Sequence, residues 1–330
     1  MTNPYGFNPQ PLKAPFPYFG GKSGAAGLIW QRFGNPRNYV EPFAGSLAVL
    51  LARPHEPKIE TVNDLDGLLS NAWRAIRLCP DEVALHADQP VVEVDLTARH
   101  RALVTARADL TERLIADPDY CDPKLAGWWI WGASNWIGGG WCAGRHFAKM
   151  PRLGDAGSGV SKSSITRLPR LGNAGTGVNR RSVKDAENGV HAWMRTLSLR
   201  LRRVRITCGS WERVTSPAVT VKHGITAVLL DPPYNAENAT NDVYAPAYSA
   251  DVATDALAWA VEHGDDPHFR IAYCGYDLEP PPGWVAVRWK ANKGYQKTKG
   301  DLHNGYREVI LFSPHCLRPD NRLLFTADYL

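Results

Sequence analysis

The chain has 330 residues, a formal net charge of +5 and 12 tryptophans; that length allows one large domain or two moderate ones with a real core. The start, "MTNPYGFNPQPLKAPF", has no basic-then-apolar leader and no apolar run is long enough to cross a bilayer, so a soluble cytoplasmic protein without membrane contact is expected. The six cysteines (Cys79, Cys121, Cys142, Cys208, Cys274, Cys316) are scattered and form no C-x-x-C pair, which predicts reduced thiols and no metal site.

In chain order, "PFPYFGGKS" (Pro15–Ser23) comes first, ahead of a helix-like "GAAGLIWQRF". Gly20 and Gly21 bring backbone close to a neighbour, Lys22 supplies one positive charge, and Tyr18 and Phe19 are aromatic; a ligand site or a plain turn into the helix both fit. "NYVEPFAGSLAVLLAR" then reads as a short strand, a glycine turn and a helix, with Gly45 letting the backbone turn tightly and the helix offering unpaired amides to a ligand. "KIETVND" is a second strand ending in Asp64, 19 residues beyond Gly45, and "DLDGLLSNAWRAIRL" is a helix capped by an acidic residue. An acid at about that offset accepts hydrogen bonds from ribose hydroxyls in nucleotide-binding sheets; the competing reading of Asp64 is the helix cap itself. Together the glycine turn and the acid suggest an adenosine-containing cofactor at the carboxyl ends of the strands.

The middle of the chain, residues 78–204, breaks the alternation of strands and helices. "GWWIWGASNWIGGGW" places five tryptophans within 14 residues, and a Gly/Ser-rich basic stretch follows. Between Trp141 and Arg205 there are 14 Lys/Arg against 3 Asp/Glu, a surplus of +11 that leaves −6 for the rest of the chain. A basic block on a slightly acidic body predicts a polyanion-binding surface, with a solvated basic loop as the alternative. "PRLGDAGSGV" at Pro151–Val160 recurs as "PRLGNAGTGV" at Pro169–Val178; two copies are too few for a solenoid, and their glycine content predicts mobile loops. Arg145, Lys149, Arg152, Lys162, Arg167, Arg170, Arg180 and Arg181 are the candidate contacts for such a polyanion, while the tryptophans are expected to form a small core for the insert.

Beyond this insert five further strands are expected, at "RVRITCGSW", "GITAVLLDPPY", "HFRIAYCGYD", "GWVAVRWK" and "YREVILFSP", which with the first two predict a mostly parallel, three-layer α/β sheet. The run "AVLLDPPY" stops at an acid and two prolines; proline lacks the amide hydrogen needed to extend a ladder, so the strand must end at Asp231. Asp231 and a carbonyl held by Pro232 and Pro233 can accept both hydrogens of an exocyclic amine, and Tyr234 offers a face for stacking an extruded base. The domain division that follows is 1–77 and 205–330 for a catalytic domain, with 78–204 inserted for target recognition.

The ordered set "FPYFGGKS", "VEPFAGS", "TVNDLD" and "LLDPPYN", with a basic insert before the last, resembles the Dam-type (D12 class, alpha arrangement) DNA adenine-N6 methyltransferases. The resemblance implies a Rossmann-like fold and methyl transfer from S-adenosylmethionine to adenine N6 in double-stranded DNA, in a bacterial or phage-infected cell. It also admits a restriction endonuclease as partner. By the same resemblance Tyr18, Phe19, Gly20, Gly21, Lys22 and the turn Glu41, Pro42, Phe43, Ala44, Gly45, Ser46 would contact the cofactor, and Asp64 would hold its ribose. Asp231, Pro232, Pro233 and Tyr234 would hold the target adenine, with Asp231 also near the cofactor. "CGSWERV" resembles the segment that meets the cofactor's adenine, where Ser210, beside Trp211, stands in place of the usual acid; a hydroxyl is a weaker acceptor than a carboxylate.

The rival readings are cytosine-N4 methylation, methylation of RNA or of a glutamine amide, and a DNA-binding module that has lost activity. A cytosine-C5 enzyme would need a nucleophilic cysteine after a proline, and Cys79-Pro80 has the reverse order.

Overall fold

The computed structural model describes residues 11–18, 20–136, 141–142, 189–233, 251–289 and 308–319. Seven strands form one sheet: β1 (Asn38–Glu41), β2 (Ile59–Asp64), β3 (Val204–Cys208), β4 (Thr226–Leu230), β5 (Phe269–Tyr276), β6 (Val285–Arg288) and β7 (Glu308–Phe312). Every strand expected from the sequence is present. Their order is 3-2-1-4-5-7-6, with parallel pairing from β3 through β5 and β7 antiparallel to both β5 and β6. β4 stops at Leu230, one residue before Asp231, as the prolines require.

Apolar residues alternate between two layers even where a strand is apolar throughout. Tyr39, Ala227, Leu229, Ala272, Cys274, Ile310 and Phe312 face one core, and Val40, Val228, Leu230, Ile271, Tyr273, Val309 and Leu311 face the other. Side chains on a strand have period two, so a strand covered on both faces reads as a continuous apolar run. The first face is covered by α1 (Ala26–Phe33) and α3 (Gly67–Leu78), the second by α9 (Val252–His263). The α3 helix begins where the Asp66 side chain accepts from the Leu68 amide at 3.0 Å.

The remaining helices extend the first layer: α4 (Pro80–Ala87), α5 (Glu93–Ala116), α6 (Pro123–Asn135) and α7 (Val190–Leu201). In α5 the buried residues Leu96, His100, Leu103, Leu110 and Leu114 keep helical spacing and form one stripe. Pro123 opens α6 behind Asp122, whose carboxylate accepts from the Leu125 amide at 2.8 Å. Trp129 and Trp131 are buried, so these two tryptophans are core, but Trp129 does not belong to a separate core of the insert. The core it joins is continuous with the sheet: Trp129 meets Phe16 edge-on with ring centroids 4.8 Å apart. Two short helices complete the described chain, α2 (Ala48–Leu51) and α8 (Glu212–Thr215).

The helix expected from "SLAVLLAR" is only the four residues of α2, because Leu47 sits at φ 54° in the left-handed region and delays the helical turn. A buried leucine in that conformation is strained, and the strain lies beside the turn predicted to meet a ligand. All six cysteines are free thiols. Among the described residues no helix is long and apolar enough to cross a membrane. The duplicated loops and the candidate DNA-binding residues Arg145, Lys149, Arg152, Lys162, Arg167, Arg170, Arg180 and Arg181 lie outside the described residues.

Candidate active site

The chain lays down β1, β2 and β3 outward in one direction, then returns to place β4 on the other side of β1. Loops leaving the carboxyl ends of β1 and β4 therefore diverge, and a crevice opens between them where ligands bind in open α/β sheets. A pocket lies there. Tyr18, Gly20, Gly21 and Lys22 line it from the segment ahead of α1, and Glu41 and Phe43 to Ser46 from the end of β1. Asp64 at the end of β2 and Asp231 and Pro233 beyond β4 complete the predicted residues, joined by Ala48 and Val49.

The Gly45 turn is fixed from three sides. Gly45 has φ 46°, and a Cβ there would stand 2.9 Å from Tyr18 Cε1, so the ring position depends on glycine. Its amide donates to Asp64 Oδ2 at 3.1 Å and its carbonyl accepts from the Trp73 indole at 2.9 Å. The amides of Ala44 and Leu47 are also engaged, by Asn63 O and Ala44 O. These three turn amides are therefore used internally. Asp64 is not the helix cap, a role Asp66 fills; its Oδ1 accepts from the Asp66 amide at 3.0 Å.

Lys22 is buried and its Nζ donates to Gly20 O at 2.7 Å and to Asp231 Oδ2 at 2.9 Å. Glu308 Oε2, at the start of β7, lies 3.9 Å from the same nitrogen. Burial alone would lower the Lys22 pKa, but Asp231, with Cys274 and Glu308, outweighs it and holds the ammonium above its ordinary value. Lys22 is therefore a fixed cation at the end of β4.

Glu41 behaves in the opposite sense. It is buried at the end of β1, where Tyr39 OH donates to its Oε2 at 3.0 Å. Burial pushes its carboxyl up to about 8; the bonds from Tyr39 and the Leu50 backbone oppose the rise, and the charges of Asp231 and Glu60 add to it.

Some predicted residues stand apart from the pocket lining. Pro42 contributes its carbonyl to Asn63 Nδ2 at 3.1 Å, and Pro232 is buried behind Asp231. Ser210 is exposed and donates to Glu212, while Trp211 is buried against Phe43 with ring centroids 6.1 Å apart. Phe19 and Tyr234 lie outside the described residues. Sequence reasoning missed Glu308, Asn63 and Trp73. Asn63 joins three strand ends, donating to Pro42 O and to Gly209 O and accepting from Thr207 Oγ1. Position just before Asp64 was its only signal, and Glu308 had only the oddity of an acid opening an apolar strand.

No curated protein matches the chain. Residues 18–89 match the family model described as D12 class N6 adenine-specific DNA methyltransferase. The matched segment carries Tyr18, Lys22, the Gly45 turn and Asp64, which is most of the pocket. The resemblance to the Dam-type DNA adenine-N6 methyltransferases stands on this match over residues 18–89, and the enzyme class it supports is DNA adenine-N6 methylation.

Proposed function

We propose that the protein transfers a methyl group from S-adenosylmethionine to N6 of an adenine flipped out of double-stranded DNA. The observation that carries this reading is the meeting of Asp231 with the glycine-turn pocket across the β1–β4 crevice, with Lys22 bonded to Asp231 at 2.9 Å. A cationic donor suits this lining, in which Asp64 and Asp231 stand with the Lys22 ammonium and the buried Glu41 adds a polar but largely uncharged carboxyl. Glu41 to Ser46 and Tyr18 would hold the donor, Asp64 its ribose, and Phe43, backed by Trp211, its apolar surface.

When bound, S-adenosylmethionine supplies the methyl group and leaves as a thioether. Asp231 and the carbonyl held by Pro232 and Pro233 would accept the two hydrogens of the target amine, aiming its lone pair at the methyl carbon. The amine so aimed would take up the methyl group as its bond to sulfur breaks, the electron pair staying with sulfur, and Asp231 would receive the proton the nitrogen sheds on its way to solvent. Tyr234 would stack on the base. Positioning and the preorganised acceptors supply the rate, without a covalent enzyme intermediate. The basic segment within 78–204 would grip the phosphate backbone and read the site.

The test is methylation of duplex DNA by the purified protein with labelled donor, followed by nucleoside analysis. N6-methyladenine is expected. N4-methylcytosine would move the enzyme to the rival base, and DNA binding without donor uptake would leave an inactive module.

A further inference from the structure

Glu308 opens β7, two strands from β4, and is followed by four buried apolar residues. Its side chain is 8% exposed, and among the described residues its Oε2 has no hydrogen-bond partner. A buried carboxylate oxygen without such a bond costs stability, and nothing in the packing of β7 requires a charge at this position. The cation it faces is Lys22, 3.9 Å away, the same ammonium that bonds Asp231 at 2.9 Å. Burial raises the Glu308 carboxyl, Lys22 draws it back and Asp231 raises it further, so the two acids compete for one cation.

We propose that Glu308 is a positioning residue for methyl transfer: it shares the Lys22 ammonium with Asp231, so that the ammonium is not spent wholly on Asp231 and the Asp231 oxygens stay available to accept from the target amine. An ammonium given wholly to Asp231 would weaken that carboxylate as an acceptor. As the C–S pair departs to sulfur the attacking nitrogen becomes positive, and the same carboxylate stabilises it. Glu308 does not line the pocket and acts through Lys22 alone. The inference rests on the methyltransferase reading and adds a residue that the motifs leave out.

The experiment compares wild type, Glu308→Gln and Glu308→Asp in steady-state methylation of duplex DNA, with donor affinity and melting temperature measured alongside. Glu308→Gln is isosteric and neutral; its kcat should fall roughly tenfold to hundredfold, while KM for donor and DNA stays within about threefold. Its melting temperature should hold or rise, because a buried charge has been removed. Glu308→Asp keeps the charge and should recover most of kcat. An active wild type with an unaffected Gln variant overturns the proposal alone. A Gln variant that melts early or fails to fold, or Gln and Asp variants that lose activity alike, makes the role structural and overturns it too. A wild type that binds no donor and methylates nothing overturns the underlying reading, and Glu308's role with it.

Discussion

Asp231 and Glu41 are carboxylates of one pocket with different surroundings. Asp231 has the Lys22 ammonium at 2.9 Å, whereas Glu41 is buried with a phenol, a backbone amide and the charges of two other acids. Asp231→Ala should reduce methyl transfer below about a tenth of wild type while DNA affinity changes by less than about threefold, since on the proposed reading the residue would meet the amine and not phosphates. Filter binding alongside labelled transfer checks both halves. For Glu41 the folded carboxyl titrates near 8 against an ordinary value of 4.5, so the folded state binds more protons across that window. Its contribution to stability is fully present below 4.5 and is lost as pH rises through 8, at up to about 1.4 kcal/mol per pH unit. Glu41→Gln should therefore flatten the fall in stability between those limits and melt above wild type at pH 8.5. Equal melting curves at that pH would show that Glu41 is ionised without penalty in the folded protein.

At the scale of elements, the pocket depends on how β1, β2 and α7 are tied. Asp64 ties the Gly45 turn to the end of β2 through Oδ2, while its Oδ1 accepts from the Asp66 amide, so Asp64→Ala should loosen the turn as well as remove an acceptor. Donor affinity should drop by roughly 1.5–3 kcal/mol, more than DNA affinity does; calorimetry with an unchanged donor constant would confine Asp64 to shaping the turn. Further from the site, Glu60 in β2 is buried between two arginines. Arg200 of α7 holds it at 2.7 and 2.9 Å and Arg53 at 3.1 Å. Arg200 lies near the end of the basic segment, so this ion group anchors the returning chain to the sheet. Arg200→Met should cost about 3 kcal/mol in urea denaturation, because it strips half the compensation from a buried carboxylate. A cost below about 1 kcal/mol would reduce the contact to a surface pair.

For the whole molecule, the +11 segment on a body of −6 makes a salt-dependent grip on DNA the expected behaviour. Deleting residues 152–181 should weaken DNA binding, flatten its salt dependence and abolish site preference, while donor binding stays within about threefold. Unchanged affinity and site choice after the deletion would leave the basic run as a solvated loop. The tryptophan-rich helix α6 should be required for folding, since its core is the sheet's own.

Much of this architecture was legible locally. β4 and β7 announced themselves as apolar runs bounded by turn residues, and the prolines after Asp231 set the end of β4, because these signals depend on a residue and its immediate neighbours. The same locality singled out Gly45, Asp64 and Asp231, which line the pocket. The sequence could not show strand order, and strand order puts Asp231 beside Lys22 and brings Glu308 to the same ammonium. Nor did it show that Leu47 would cut α2 short, that Asp64 would occupy the Gly45 amide, or that Glu41 would hold its proton to about 8. Backbone propensity and periodicity act over a few residues, whereas hydrogen-bond partners, desolvation and the charge around a buried acid are set by groups far away in the chain that only the packed sheet brings together.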